Sequence, residues 1–211
     1  SGLLVWEPGG FRSAPGFGPP QAPITALLAG TGEEMWIGTA NGVGHYESGR
    51  MTWLTEQDGI RLAEVRCLAR EGEKALWIGM YGGGLARYQA GQFQVFKKED
   101  GLGSDCISCL HFDGQDILWI GTSGGGVARY KEGRFARIGS RHGLPSVNIS
   151  TIQEDNLGGA WLGSSAGVLQ VRKAELDACA DGRASNIAVR AYGLGDGLET
   201  TECSSGFQPA S

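Results

Sequence analysis

Short apolar stretches of about five residues recur along the chain and alternate with turns rich in Gly, Asp and Ser. Clear examples are residues 65–69, 85–88 and 93–96. None of these stretches continues with the 3.6-residue period of an amphipathic helix, and their length is typical of strands. The pattern therefore predicts an all-β protein built from many short strands.

The strands belong to a repeat whose most visible member is tryptophan. Trp36, Trp77, Trp119 and Trp161 are 41, 42 and 42 residues apart, and each is followed by an apolar residue and glycine. A second glycine step and a glycine turn follow at matching distances in the repeats. A period of about 42 residues with four strands per unit is typical of β-propeller blades. We expect the four tryptophans to be buried in equivalent places between blades.

The repeat predicts four full blades and two partial ones in a single propeller domain over residues 1–211. The predicted segments are a half blade at 1–18, blades at 24–57, 65–99, 107–141 and 149–193, and the start of another blade at 199–211. Residues 173–185 interrupt the fourth blade as an insertion. Because propellers close into rings, this arrangement predicts a piece of a larger propeller. Its open blade edges would be continued by further chain or covered by a second copy in a homo-oligomer.

Composition excludes several classes of protein. The chain has 211 residues, 37 of them Gly, and 41% of its residues are hydrophobic. This is too apolar for a disordered segment, and the glycines lack the collagen period. No apolar run approaches 18 residues, so we expect no membrane contact from this region. A net charge of −5 with scattered basic residues disfavours nucleic acid. No signal peptide is recognisable, so we expect that any targeting segment has been removed or lies outside this piece.

Three motifs in the third repeat resemble the two-component regulator propeller repeat. They are HGLPS at residues 142–146, LWIGT at 118–122 and GVARY at 126–130, and the tail at 197–210 resembles the family's final-blade region. The resemblance implies a seven-bladed propeller in the periplasmic region of a membrane-bound sensor, where it would contact the remainder of the sensor chain. In that family the output domain is a kinase or a cyclase. A role in signal sensing and a periplasmic location are therefore expectations carried by the resemblance.

Residues able to bind metals do not form a recognisable site. His45, His111 and His142 occupy different repeat positions and lack metal-ligand spacing. Cys106 and Cys109 form a C-x-x-C, but residues three apart on a strand face opposite sides, so we interpret them as packed structural thiols. A bridge between Cys179 and Cys203 stays open. We expect no metal and no cofactor.

Acidic and glycine-rich motifs also have structural explanations. Aspartates precede glycine at Asp58, Asp100 and Asp196, as is common in turns, and Asp113 to Asp116 has the wrong spacing for a calcium loop. The Gly-Gly-Gly segments join strand to strand and lack the Lys of a phosphate-binding loop. We therefore expect no catalytic residues.

Loops on one face of the ring are the remaining candidates for a ligand site. Loop positions differ between copies although the scaffold repeats, as expected where a site is placed on a repeated fold. Tyr81, surrounded by glycine, is suited to stack on a sugar or another planar ligand. The predicted ligand-binding residues, on the loops that precede the inner strands or join the second and third strands, are Arg61, Glu64, Tyr81, Asp105, Asn148 and Glu202.

Three functions are compatible with these features. The preferred hypothesis is a non-catalytic extracytoplasmic module that senses a small molecule or glycan in two-component-type signalling. The alternatives are a protein-interaction scaffold without a small ligand and, less favoured, an enzyme related to the propeller lyases. An enzyme would require a convergent acid–base or metal set, which the sequence does not present.

Overall fold

A computed structural model describes residues 4–8, 10–13, 22–54, 60 and 63–203. Two short strands come first, β1 (Leu4–Glu7) and β2 (Gly10–Ser13). Blade 1 contains β3 (Ile24–Ala29), β4 (Met35–Thr39), β5 (Gly42–Glu47) and β6 (Arg50–Leu54). Blade 2 contains β7 (Val65–Glu71), β8 (Ala75–Met80), β9 (Gly84–Gln89) and β10 (Gln92–Phe96).

Blade 3 contains β11 (Ile107–Phe112), β12 (Leu118–Thr122), β13 (Gly126–Lys131) and β14 (Arg134–Ile138). Blade 4 contains β15 (Ile149–Glu154), β16 (Gly159–Ser164), β17 (Gly167–Arg172) and β18 (Val189–Tyr192), with helix α1 (Lys173–Ala180) before its last strand. Each blade is an antiparallel sheet with its strands in chain order. The predicted all-β propeller fold is confirmed, and the described residues add helix α1 to it.

Blades pack face to face, with the first strands β3, β7, β11 and β15 adjacent to one another. The glycine after each Trp-apolar pair permits this close approach. A Cβ atom added to Gly79 would lie 2.7 Å from Cγ2 of Ile107 in the next blade and would also collide with Sγ of Cys67. The repeated glycine is therefore required by the distance between neighbouring sheets.

A hydrogen bond from each repeat tryptophan to an acidic side chain recurs in the four blades. Nε1 of Trp77 donates to Glu71 at 3.1 Å, Trp119 to Asp113 at 3.0 Å and Trp161 to Asp155 at 2.8 Å. In blade 1 the acid position is occupied by Gly30, and Glu34 from the other side of the hairpin supplies the carboxylate to Trp36 at 3.0 Å. The acid satisfies an indole N–H that is buried or half-buried at the blade interface.

The expectation that all four tryptophans are equally buried is wrong for Trp161. Trp36, Trp77 and Trp119 are buried, whereas Trp161 is half-buried. The tryptophans of blades 1 and 2 pack edge-on against a tyrosine of the following blade, as Trp77 does with Tyr130 at 4.9 Å between ring centroids. Among the described residues, the ring contact of Trp161 is with Tyr192 of its own blade at 5.7 Å.

Helix α1 forms within the predicted insertion and packs against both blade 3 and blade 4. Its Leu176 and Cys179 are buried in the core shared by the two blades. On the polar side, Arg129 of β13 pairs with Asp177 at 3.0 Å and also with Asp181 just beyond the helix. Burial would lower the pKa of Arg129, but the hydrogen bonds and charges of Asp181 and Asp177 outweigh it and raise the pKa. The guanidinium is therefore held charged at this interface.

Candidate ligand-binding face

Backbone hydrogen bonds bring four of the predicted ligand-binding residues to one edge of the blades. The amide of Tyr81 donates to the carbonyl of Glu64 at 2.8 Å, and Gly84 donates to Asp105 at 2.8 Å. One blade further on, Ser123 forms an isolated bridge with Asn148. The loops leading into blades 3 and 4 therefore lie against the turn between the second and third strands of the preceding blade, whereas Glu64 and Tyr81 pair within blade 2. We refer to Glu64, Tyr81, Asp105 and Asn148 together as the rim.

Tyr81 carries the most distinctive surface on the rim. Its side chain is 52% exposed, at a turn position held by serine in blades 3 and 4. The guanidinium carbon of Arg66 lies 5.0 Å from the centre of the Tyr81 ring, within cation–π distance. Arg66 also pairs with Glu64 at 3.0 Å. An exposed aromatic face therefore lies beside a positioned cation and a carboxylate.

Arg66 is a residue that the sequence interpretation missed. It is the bulged residue of inner strand β7, at the place occupied in the other blades by Thr25, Ser108 and Ser150. Thr25 donates from its hydroxyl to the carbonyl of Val65 in the next blade at 2.5 Å. Arg66 thus departs from the repeat, because the other blades have a small hydroxyl side chain at this position. This departure was visible in the sequence.

Asp105 and Asn148 also stabilise the loops of the rim through hydrogen bonds. The carboxylate of Asp105 accepts a hydrogen bond from the amide of Lys98 at 2.7 Å, so it also fastens the turn that precedes its own loop. Asn148 is exposed, and its carbonyl accepts from Ser165 at 3.4 Å. Asn148 thus has its side chain at the surface while its backbone holds the rim together.

Glu202 and Arg61 are the other two predicted ligand-binding residues. Glu202 is exposed, and its amide donates to the hydroxyl of Thr200 at 3.1 Å. The following residue, Cys203, donates to the carbonyl of Ser164 at 3.1 Å, which places this segment at the end of blade 4. Arg61 lies outside the described residues. The cluster that the structure brings into side-chain contact is Glu64, Arg66 and Tyr81.

Residues with metal or redox chemistry do not gather on the rim. Across the described ranges, no group of three His, Cys, Asp or Glu side chains is arranged to hold a metal ion. His45 stacks on Trp36 at 4.0 Å between ring centroids and bonds to Glu34 at 3.0 Å. His111 lies 3.6 Å from a carboxylate oxygen of Glu154.

The five cysteines are free thiols. Burial raises the pKa of Cys67, with a further contribution from Cys109, and burial raises the pKa of Cys109 to about 12. These two inner-strand thiols are therefore protonated at neutral pH. No helix in the described part of the chain is long and apolar enough to cross a membrane.

Comparison with known proteins supports the sequence resemblance. Residues 101–124 match the family model described as two component regulator propeller. These residues run from the turn after β10 through β12 and contain the LWIGT motif. A search of curated proteins finds no matching sequence.

Solved structures share the propeller fold at low sequence identity. The extracellular domain of the hybrid two component system BT3049 from B. thetaiotaomicron matches with a TM-score of 0.66 and 16% identity over 80% of this chain and 24% of that domain. The extracellular domain of BT4673 from the same organism matches with a TM-score of 0.60 and 21% identity over 72% and 24%. The chain thus spans about a quarter of both domains.

A virginiamycin B lyase from Staphylococcus aureus, in a catalytically inactive form with quinupristin, also matches. The TM-score is 0.62 and the identity is 11% over 93% of this chain and 60% of the lyase. At these identities the similarities establish the fold alone. The chain is thus a β-propeller segment that carries a two-component regulator propeller repeat.

Proposed function

We propose that this propeller is a non-catalytic ligand-binding module in the extracytoplasmic part of a two-component-type sensor. The propeller repeat at residues 101–124 and the fold shared with two extracellular sensor domains support this class. The remainder of the sensor chain would receive the signal. Open blade edges would pair with further blades or with a second copy of the chain.

The observation that carries the ligand-binding proposal is the Glu64–Arg66–Tyr81 cluster. An aromatic ring that is 52% exposed offers a flat apolar face to the C–H side of a sugar ring. The adjacent carboxylate of Glu64, positioned by its ion pair with Arg66, supplies an acceptor for sugar hydroxyl groups. A neutral sugar or short glycan is therefore the ligand class that this chemistry fits best.

The two alternatives lack a comparable observation. A protein-interaction scaffold would favour a broad apolar patch, whereas the rim carries a single aromatic among charged and polar groups. A lyase would require a positioned acid–base pair or a metal-bound water. Glu64 is paired with Arg66, and Asp105 accepts from a backbone amide, so both carboxylates have structural partners.

Isothermal titration with a panel of neutral mono- and oligosaccharides tests the proposal. For a sugar that binds, Tyr81→Ser should weaken affinity at least tenfold, or by about 1.4 kcal/mol. Serine is the residue at this turn position in blades 3 and 4, so the variant should fold. Leu157→Ser removes a side chain that is 95% exposed on another turn, and it serves as the matched control.

Three results would contradict the proposal. Sugar affinity unchanged by Tyr81→Ser would place the site elsewhere. Binding of no sugar, with stable capture of a purified sensor-domain partner, would favour the scaffold alternative. Turnover of any tested sugar by the purified chain would contradict the non-catalytic assignment.

A further inference from the structure

Three of the four blades place a basic side chain on the acid that holds the repeat tryptophan. The pairs are Arg70 with Glu34 in blade 1, Arg87 with Glu71 in blade 2 and Lys173 with Asp113 in blade 3. In blades 1 and 3 this basic residue belongs to the blade that follows along the chain. In blade 4, no Lys, Arg or His among the described residues pairs with the corresponding acid, Asp155.

Asp155 repeats the hydrogen bonds of Asp113 except for the one to an ammonium group. In both residues, Oδ1 accepts from two backbone amides of the hairpin and Oδ2 accepts from the indole N–H. The donors to Asp155 are Leu157 at 2.8 Å, Gly159 at 2.7 Å and Trp161 at 2.8 Å. Oδ2 of Asp113 also accepts from Nζ of Lys173 at 2.7 Å. Oδ2 of Asp155 therefore has an unused acceptor direction where Asp113 binds a lysine.

The side chain opposite Trp161 does not neutralise this acid. The residues paired across the strands with the four repeat tryptophans are His45, Arg87, Arg129 and Gln170. Gln170 is uncharged, and its side-chain oxygen accepts from the hydroxyl of Tyr192 at 3.0 Å. Hydrogen bonds from Trp161 and Gly159 lower the pKa of Asp155, so the carboxylate is charged at neutral pH. Its charge has no counter-ion among the described residues.

The acid lies on the open side of blade 4. The tryptophans of blades 1 and 2 pack against the following blade, so Trp161 marks the side of blade 4 that faces away from blade 3. Asp155 and Gln170 line a groove of about 1050 Å³ there, and Leu157 on its wall is 95% exposed. A lysine fits these two features, because its methylene stem packs on apolar surface while its ammonium group reaches the acid.

Two basic residues of blade 4 line the same groove without pairing with the acid. They are Arg172, which is exposed, and Arg190, whose guanidinium carbon lies 4.7 Å from the centre of the Tyr192 ring. Neither is within ion-pair distance of Asp155, so the place beside Oδ2 is left for a cation from outside the blade, as in blades 1 and 3.

We propose that Asp155 and Trp161 bind the ammonium group of a lysine presented by a polypeptide segment that packs on the open side of blade 4. Lys173, which binds the corresponding acid Asp113, lies 5.3 Å from the Trp119 ring centre, within cation–π distance. The two glutamates of the repeat take arginine and the aspartate takes lysine, which favours lysine here. Because the cations in blades 1 and 3 are side chains of the element packed on the blade, a polypeptide is favoured over a free amine.

Titration with N-acetyl-lysine amide at constant ionic strength, followed through the indole ¹H–¹⁵N signals, tests the site. We expect a saturable shift of the Trp161 signal. The Trp119 signal is an internal control and should stay in place, because its acid already binds Lys173. N-acetyl-norleucine amide has the same stem without the charge and should cause no comparable shift.

Variants of the acid test which group binds. Asp155→Asn keeps an oxygen for the hairpin amides but removes the charge, so it should weaken binding of the lysine amide about three- to fivefold. Asp155→Glu combined with Gln170→Arg reproduces the Glu71 and Arg87 pair of blade 2, and it should abolish the shift by filling the site from within. Glu175→Gln changes another carboxylate of the groove and should bind like the wild type.

The proposal would be overturned by a Trp161 signal that does not shift saturably, by an equal response to the norleucine amide, or by unchanged affinity in Asp155→Asn. Parallel titration with n-butylammonium distinguishes a free amine from a lysine side chain. Affinity for n-butylammonium about tenfold above that for the lysine amide would replace the polypeptide with a small amine. Tyr81→Ser should leave the Trp161 shift unchanged, because this site does not depend on the rim.

Discussion

Nε1 of Trp119 donates a 3.0 Å hydrogen bond to Asp113, and the same carboxylate oxygen accepts from Nζ of Lys173 at 2.7 Å. The other carboxylate oxygen of Asp113 accepts from the amides of Gln115 and Ile117 at 2.8 and 3.0 Å. One buried side chain thus joins a blade tryptophan, a hairpin turn and the first residue of helix α1. The turn predicted at Asp113 is present, and it also closes a contact between blades 3 and 4.

Asp113→Asn should therefore destabilise the protein. An asparagine cannot accept all of these hydrogen bonds, and it leaves Lys173 without its closest buried counter-charge. We expect a loss of about 1–3 kcal/mol in the free energy of unfolding, measured by urea denaturation. Asp116→Asn, an exposed change in the same hairpin, is the control. Equal stabilities for the two variants would show that the network does not stabilise the fold.

Truncation of the tryptophans should cost different amounts in blades 3 and 4. Trp119→Ala removes a fully buried ring and should cost about 3–5 kcal/mol. Trp161→Ala should cost clearly less because its ring is half-buried. Urea melts of both variants provide the comparison, and a loss below about 1 kcal/mol for Trp119→Ala would contradict the packing described here.

Glu34 should make stability depend on acid pH. Burial would raise the pKa of Glu34, but hydrogen bonds from Arg70, Thr31 and His45 outweigh it and lower the pKa from 4.5 to about 2. A carboxylate whose pKa is lower in the folded protein than in the unfolded chain stabilises the fold. This stabilisation is fully present when the pH is above the pKa of the unfolded chain, and it is lost as the pH falls through the pKa of the folded protein. The wild type should therefore lose stability between pH 4.5 and 2 by more than Glu34→Gln does.

Thermal melts at a series of pH values measure this difference. The exposed neighbour Glu33 supplies the control substitution Glu33→Gln, which should follow the wild type. Parallel pH profiles for wild type and Glu34→Gln would contradict the role given to this carboxylate.

The inner-strand thiols should resist alkylation in the native protein. Burial raises the pKa of both Cys67 and Cys109, so little thiolate is present at pH 8. Iodoacetamide followed by mass spectrometry should leave both unmodified in the native protein and modify both in urea. Rapid native modification of Cys109 would show that the first strands of blades 2 and 3 open readily.

The propeller fold was predictable because the tryptophans, glycines and turns repeat at one period. Features that break the period were harder to predict. Helix α1 lies in a stretch without a repeat counterpart, and its position depends on tertiary pairs such as Arg129 with Asp177. Half-burial of Trp161 depends on what lies beside blade 4, which repeat spacing alone does not specify.

The candidate sites were predictable in part. Variation among loop residues identified Glu64 and Tyr81, and the structure places them together. The contact of Arg66 with Tyr81 depends on side-chain geometry, although Arg66 also departs from the small hydroxyl residues at its repeat position. A departure at a position that is otherwise repeated is therefore the sequence signal worth examining in such chains.

Mapping a bound sugar by ¹H–¹⁵N chemical-shift perturbation tests the central claim most directly. The largest amide shifts should occur at Glu64, Arg66 and Tyr81, with smaller ones at Asn148, and residues of the outer strand β14 should stay unchanged. Shifts confined to the outer strands, or a complete lack of saturable shifts across the neutral sugar panel, would contradict a ligand-binding role for the rim.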